Sequence, residues 1–257
     1  MTGTEDLRLL AALHAERGIV SVVGAGGKKT TLYHLLAIHP GRAAVSASTF
    51  TYLFPKSLPA ETHVADAVAL RRDVAASGAR KFAFACPSPK RGRLAGLDTA
   101  DLLAIHRQAR LDVTLLKSDG ARARWIKAPA AHEPRIPECA DAVILVLSVA
   151  AIGNPLDERI AHRPEQVSAV TGLAAGETVR PQDLATLFSH PQGLLKGVGE
   201  RPVVPLLHMV DDPEREYWAR EVARETLARE PRFPHVVLTS ARRDPYLVAI
   251  VDRSSDR

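Results

Sequence analysis

The stretch "GIVSVVGAGGKKTTLYHLL", Gly18 to Leu36, limits the possible folds more than any other part of the chain. Gly18 to Gly24 is a nearly continuous apolar run ending in glycine, which suits a strand buried on both faces of a parallel sheet. Glycines then let the backbone take positive φ and approach its neighbours closely. Lys-Lys-Thr-Thr opens an apolar helix from about Thr30 to Ile38, and "HPG" stops it. Strand, glycine turn and helix start in series form an anion site, because unbonded backbone N–H groups and the helix dipole both favour negative charge.

The turn is close to the phosphate-binding pattern G-x-x-x-x-G-K-[ST], with two departures. Gly24 sits one place late, since Val23 holds the expected position, and Lys28 stands where glycine is usual. The expected nucleotide loop is Gly24, Ala25, Gly26, Gly27, Lys28, Lys29, Thr30 and Thr31. Lys29 is expected to reach the β- and γ-phosphates and Thr30 to ligate Mg²⁺, while Lys28 adds a second charge. Such a site also needs an acid at the end of a neighbouring strand. Asp119, after the apolar run in "VTLLKSDG", is placed to hold Mg²⁺, although Asp-Gly is also an ordinary turn.

The rest of the chain supplies the sheet. A short amphipathic helix is expected over Leu7 to Glu16. Further strands are expected at Ala43–Ser48, Arg80–Cys86, Leu111–Gly120, Ala140–Val149 and Arg201–Asp211, with two late ones in "HVVLTS" and "YLVAIVD". Asp98 caps a helix through Arg110, and Asp212 with Pro213 starts another through Arg229. Apolar strands alternating with helices predict an α/β fold, a mostly parallel sheet with helices on both faces. The expected architecture is a P-loop NTPase-like three-layer sandwich. Residues 1–257 read as a single domain, with about 155–200 as a helical insertion. There is no internal repeat.

Charge and composition exclude several classes. Lys and Arg number 34 against 29 Asp and Glu, a net charge of +5. The arginines are dispersed, and no aromatic-basic patch stands out, so nucleic acid is not an expected partner. The longest apolar run, from Ala142, is too short to span a bilayer, so no membrane partner is expected. Cys86 and Cys139 form no metal or redox motif and read as packing thiols. The acidic, weakly apolar N-terminus is no secretory signal, and a cytoplasmic location is expected.

A second segment bears chemistry. "KAPAAHEPRIP" is stiffened by Pro129, Pro134 and Pro137. It holds Lys127, His132 and Glu133. His132 can transfer protons near neutral pH, and Glu133 can act as a base or Mg²⁺ partner. The alternative is a structural loop in which Glu133 pairs with an arginine. Arg163, in "AHRPE", is a further phosphate candidate. Ser48, Thr49 and Thr51 lie where a magnesium-linked switch segment often follows the second strand.

The blocks "GAGGKKTTL", "SDGA", "KAPAAHEPRIP", "AHRPE" and "HPQGLLKG", in that order, resemble the YqeC family, accessory proteins of selenium-dependent molybdenum hydroxylase systems. The resemblance covers roughly Gly18 to Ser240. It implies a P-loop-type protein that helps mature a selenium- or molybdenum-containing hydroxylase or its cofactor. Its implied partners are the hydroxylase or its cofactor-insertion machinery. It carries the nucleotide loop onto Gly24–Thr30, with Lys28 or Lys29 as the lysine. The family's Asp-Gly falls on Asp119 and Gly120. The post-strand loop falls on Lys127, His132, Glu133, Pro134 and Pro137, and a further block on His162, Arg163 and Pro164. Lys117 stands where the family has a glutamate. His208 and Met209 replace the polar pair of a base-recognition stretch, leaving Asp211.

The expected function is a Mg²⁺-dependent nucleotide-binding protein, a slow NTPase using ATP or GTP. Lys29, Asp119, His132 and Glu133 are its expected catalytic groups. Thr30 and Asp119 are the expected metal ligands, and Lys127, His132, Glu133 and Arg163 the expected substrate contacts. Two alternatives stay open. One is a non-catalytic module or chaperone gripping a phosphate-bearing molybdopterin-type cofactor. The other is a small-molecule kinase or phosphoryl transferase.

Overall fold

The computed structural model describes residues 3–254. Among the described residues the chain has an α/β fold, with seven α-helices and a large, mostly parallel nine-stranded sheet, consistent with a P-loop NTPase-like sandwich. It divides into two compact units. One comprises the chain up to Val22, Lys29–Gly120 and Arg135–Val143. The other comprises Val23–Lys28, Ala121–Pro134 and the chain from Ile144 onward.

Apart from Val23, Gly24 and Lys28, the first unit holds α1 (Thr4–Ala12), β1 (Gly18–Gly24), α2 (Lys28–Ile38), β2 (Ala43–Ala47), β3 (Thr51–Tyr52), β4 (Glu61–Val64), α3 (Ala67–Ala76), β5 (Lys81–Ala85), β6 (Arg93–Leu94), α4 (Thr99–Gln108) and β7 (Val113–Lys117). β7 pairs in parallel with both β1 and β2, β2 with β5, and β5 with β4. The order β1-β7-β2-β5-β4 decides where the helices go. The step β1-α2-β2 moves one way along the sheet, and the steps through α3 and α4 move back. Right-handed crossovers therefore put α2 on one face and α3 and α4 on the other. The core agrees. Leu70 and Val74 of α3 and Leu102 and Ile105 of α4 cluster with Ile19, Ala44, Phe82, Phe84 and Leu116 of the strands. Each buried phenylalanine contributes about 1.5–3 kcal/mol of apolar transfer.

Apart from Ala142 and Val143, the second unit holds β8 (Ile126–Lys127), β9 (Ala142–Ser148), a 3-10 turn at Val149–Ala151, β10 (Ala161–His162), α5 (Pro164–Thr171), α6 (Pro181–Ser189), β11 (Val203–His208), α7 (Pro213–Arg229), β12 (His235–Thr239) and β13 (Leu247–Asp252). β11 and β12 are parallel, while β13 returns antiparallel to β12. Every residue of β9 and β11 is buried. In α7, Asp212 accepts the Arg215 N–H at 2.9 Å and Pro213 fills the first position. Its buried stripe, Ala219, Val222, Ala223, Thr226 and Leu227, packs against α6 and β12.

Most expected elements are present with trimmed ends. The first helix lies earlier than expected because Asp6 accepts the Gly3 N–H at 3.0 Å, fixing its start, while His14 has a φ of 49° just beyond its end. α3 and β4 were not anticipated. β4 is an edge strand with little burial, so it shows no alternation, and α3 has only Leu70 and Val74 fully inside. The 155–200 region holds β10, α5 and α6. Among the described residues no helix is long and apolar enough to cross a membrane.

Arg42 ties the end of the first unit together. Its guanidinium lies over the Phe82 ring at 4.7 Å. It donates to the carbonyls of Ala109 (2.8 Å), Ala79 (2.7 Å), Val74 (2.9 Å) and Ser77 (2.8 Å). Those carbonyls close α3 and α4, whose last C=O groups have no helical partner. Arg42→Ala is expected to lower stability by about 2–4 kcal/mol, since hydrogen bonds to a charged group contribute about 1.5–3 kcal/mol and several are lost with little additivity. A urea midpoint equal to that of the parent would contradict this role.

Candidate functional site

The loop after β1 is shaped by contacts that leave no room for side chains. Gly24, Gly26 and Gly27 have φ of 101°, 68° and 152°. A Cβ on Gly24 would strike the carbonyl oxygen of Val146 in β9. One on Gly26 would come within 2.5 Å of the Ser148 Cβ, and one on Gly27 within 2.6 Å of the His208 ring at the end of β11. Ala25 N–H donates to Val146 O and Gly26 N–H to Arg124 O, both at 2.8 Å. The backbone is thus bound down at Ala25 and Gly26.

The two lysines have different surroundings. Lys28, the first residue of α2, is buried, and its ammonium donates to the Gly24 carbonyl. Lys29 is exposed and lies over the Tyr52 ring at 4.6 Å. Thr30 is exposed, whereas Thr31 is fully buried. The sequence expectation gave the phosphate-reaching role to Lys29; in the structure it is the Lys28 head group that is folded over the loop.

Asp119 is buried two residues beyond β7. Because Val22 pairs with Lys117, Asp119 leaves the sheet at the carboxyl end of the strand beside β1. Lys117 is also buried and donates to the Phe50 carbonyl at 2.7 Å. Lys117 therefore anchors the segment after β2. In that segment Ser48 donates to the Arg135 carbonyl at 2.5 Å, and Thr51 is buried in β3. The fold also gathers a cluster that the linear sequence does not display. The Phe50 ring carries Lys90 at 4.0 Å, and the Tyr52 ring carries Arg93 at 3.5 Å as well as Lys29. Such cation-ring contacts contribute about 0.5–1 kcal/mol each at exposed sites.

In the second unit, three sequence blocks meet around one carboxylate. Glu133 Oε2 accepts from Lys127 Nζ and from Arg163 Nη1, both at 2.7 Å. Lys127 is fully buried. Lys196, from "HPQGLLKG", donates to the carbonyls of Ala130 (2.6 Å) and Ala131 (3.2 Å). β8 pairs with β10, which sets His162 beside Lys127. His162 is buried, and its pKa is lowered to about 4, first by burial and then by the charges of Arg163 and Lys127. His132, by contrast, is exposed. The loop brings Glu133, Lys127 and Arg163 together and leaves His132 outside. His162 and Lys196 were named only as parts of sequence blocks, since no spacing rule linked them to Glu133.

Other residues are occupied elsewhere. Asp211 accepts from Ser240 at 2.6 Å and pairs with Arg215 at 3.0 Å. His208 is buried with Nδ1 at 3.0 Å from Thr239 Oγ1. Cys86 and Cys139 are free thiols, and burial pushes the Cys86 thiol pKa up, away from the reactive thiolate. Among the described residues no group of three or more His, Cys, Asp or Glu is placed to hold a metal ion. A Mg²⁺ here would take most of its ligands from phosphate and water, as is usual for that ion.

Removing the charge of Glu133 disturbs a buried ion pair. Glu133→Gln is expected to cost about 3–5 kcal/mol, and His132→Gln, on an exposed side chain, within about 0.5 kcal/mol. Equal urea midpoints for the two variants would refute the distinction. His162 binds its proton more readily unfolded than folded. It therefore lowers stability as pH falls from about 6.5 toward about 4. The His162 ring resonance is expected to titrate near pH 4, and His162→Gln should flatten that part of the stability profile. A ring titrating above pH 6 would overturn the assignment.

A family model described as YqeC protein matches residues 20–165. The chain is similar to the uncharacterized protein YqeC of Escherichia coli (strain K12). Identity is 31% over 182 residues, covering 70% of this chain and 71% of that protein.

Proposed function

From the premise that the chain belongs to the YqeC family, we propose that it binds a nucleoside triphosphate with Mg²⁺ and hydrolyses it slowly. The carrying observation is the glycine loop. Its three glycines at positive φ are each pressed against a different neighbour, and the buried Lys28 ammonium is folded back over the Gly24 carbonyl. Phosphate oxygens offer that ammonium a stronger, charge-assisted acceptor than a carbonyl. In this reading the first-turn N–H groups of α2 and Lys28 hold the phosphates. Thr30 and Asp119 hold Mg²⁺, which neutralises phosphate charge when bound. Lys29 and Tyr52 line the approach. Lys127, Glu133 and Arg163 serve a second substrate. With Asp211 committed to Ser240 and Arg215, a guanine-reading acid has no support, and ATP is favoured over GTP. The sequence blocks of the family further support a role as an accessory protein in maturing a selenium-dependent molybdenum hydroxylase or its cofactor.

One observation favours a second reading. Lys117 occupies the glutamate position and is engaged with the Phe50 carbonyl, so no acid there can orient a water. The protein would then be a non-catalytic module gripping a phosphate-bearing cofactor of molybdopterin type.

Titration with ATP and GTP, with and without Mg²⁺, while phosphate release is followed in the same samples, separates these readings. Turnover supports the NTPase, and binding without turnover supports the module. Lys28→Ala is expected to weaken nucleotide binding about 10- to 100-fold, the equivalent of about 1.5–3 kcal/mol for a charged hydrogen bond. Lys29→Ala should change it less than about threefold, as expected for an exposed charge. Unchanged affinity in Lys28→Ala would sink the role given to that residue.

A further inference from the structure

The second unit contains a cavity of about 200 Å³ lined by Arg122, Arg124, Glu158, His162, Arg163 and Glu165, among others. It is smaller than the roughly 300–1,000 Å³ typical of sites for whole drug-sized ligands, so it fits a head group. Arg122 and Arg124 have no carboxylate partner within ion-pair distance among the described residues. The one hydrogen bond from either side chain runs from Arg124 Nη1 to the Arg122 carbonyl at 3.5 Å. Their turn is rigidly built. Arg122 and Ala123 have φ of 45° and 60°, Arg124 N–H bonds the Ala121 carbonyl at 2.8 Å, and Trp125 N–H bonds Ile160 O at 2.8 Å. Such left-handed backbone at non-glycine residues is costly and concentrates at functional sites.

Arg163 enters from the other side. It has a φ of 62° and precedes Pro164 at the start of α5, whose N-terminus opens at the cavity. The Glu133 carboxylate is shared between Arg163 and the buried Lys127, so one acid serves two cations. His162 registers the resulting field. Arg163, Lys127 and Arg122 all disfavour its protonation, and Glu133 alone among the charges acting on it favours the proton.

We propose that this cavity is a second anion site, distinct from the glycine loop, that binds the phosphate of a small phosphomonoester. Arg122, Arg124 and Arg163, from two segments, line it, and guanidinium suits multidentate phosphate recognition. Neutral His162 offers a further hydrogen bond. Glu158 and Glu165 on the same lining repel a bare polyanion but accept from hydroxyl or amino donors, so the organic part of the ligand carries such donors. The site also bears on the loop, because the Arg124 carbonyl accepts the Gly26 N–H. The assignment goes beyond the nucleotide reading and stands without it.

The test uses the full chain at pH 7 in chloride buffer, with glycerol 3-phosphate and inorganic phosphate as probes, followed through the His162 ring and Trp125 indole resonances. Both probes are expected to shift these resonances, glycerol 3-phosphate at lower concentration. The affinity should be the same in Lys28→Ala and at least tenfold weaker in Arg122→Ala/Arg124→Ala. Arg122→Glu is a second variant on an exposed side chain, and it should weaken binding as well. Probe shifts that vanish in Lys28→Ala would place the anion on the glycine loop and overturn the proposal. So would arginine variants that bind as the parent does, or the absence of any shift at His162. Loss of ATP binding in Lys28→Ala alone tests the nucleotide reading separately.

Discussion

The loop between β1 and α2 exists because three of its residues lack a side chain. Gly24 lies against the Val146 carbonyl, Gly26 against Trp125 and Ser148, and Gly27 against the His208 ring. These are contacts with backbone and with buried groups, which have little freedom to move aside. The close approach fixes the path of the chain into α2 and decides which lysine is buried. It also lets the Arg124 carbonyl reach Gly26, so the turn bearing the cavity arginines is held by the same loop. A methyl group at any of the three positions would disturb the glycine loop and its surroundings together.

Charge is arranged with similar consequence. Buried cations are stable only when acceptors meet them. Lys28 finds the Gly24 carbonyl, Lys117 the Phe50 carbonyl and Lys127 the Glu133 carboxylate. Two of these acceptors are neutral carbonyls, which an anionic ligand can outcompete only where it can approach. Lys28 sits at a helix start beside a glycine loop and suits that exchange. Lys117 holds the segment after β2 and works as an anchor. Glu133 draws Lys127 and Arg163 to one point, and the field left over suppresses protonation of His162.

Much of this was legible in sequence. The buried parallel strands read clearly because continuous apolar runs such as Ala142–Ser148 have no other stable environment in a chain like this. The helix starts at Asp98 and Asp212 read correctly because capping is local, a side-chain oxygen meeting an N–H three residues ahead. α3 and β4 were missed because their burial is slight and gives no strong period. Neighbouring residues in a loop need not share a direction, and here Glu133 lies inside with Lys127 and Arg163 while His132 stands in solvent.

The sequence by itself determined the α/β class, the strand, glycine turn and helix in series, and the family, since these depend on local periodicity, glycine and short spacing. Only the tertiary structure decided which of two adjacent lysines is folded over the loop, since Lys28 is buried with its ammonium on the Gly24 carbonyl while Lys29 is exposed. It alone decided that Glu133 would take a lysine six residues away and an arginine thirty residues on. It alone set the arginines of the 122–124 turn on one cavity with Arg163. Ion pairs and cavities depend on distances in space between residues far apart in the chain, and no period or motif encodes those distances.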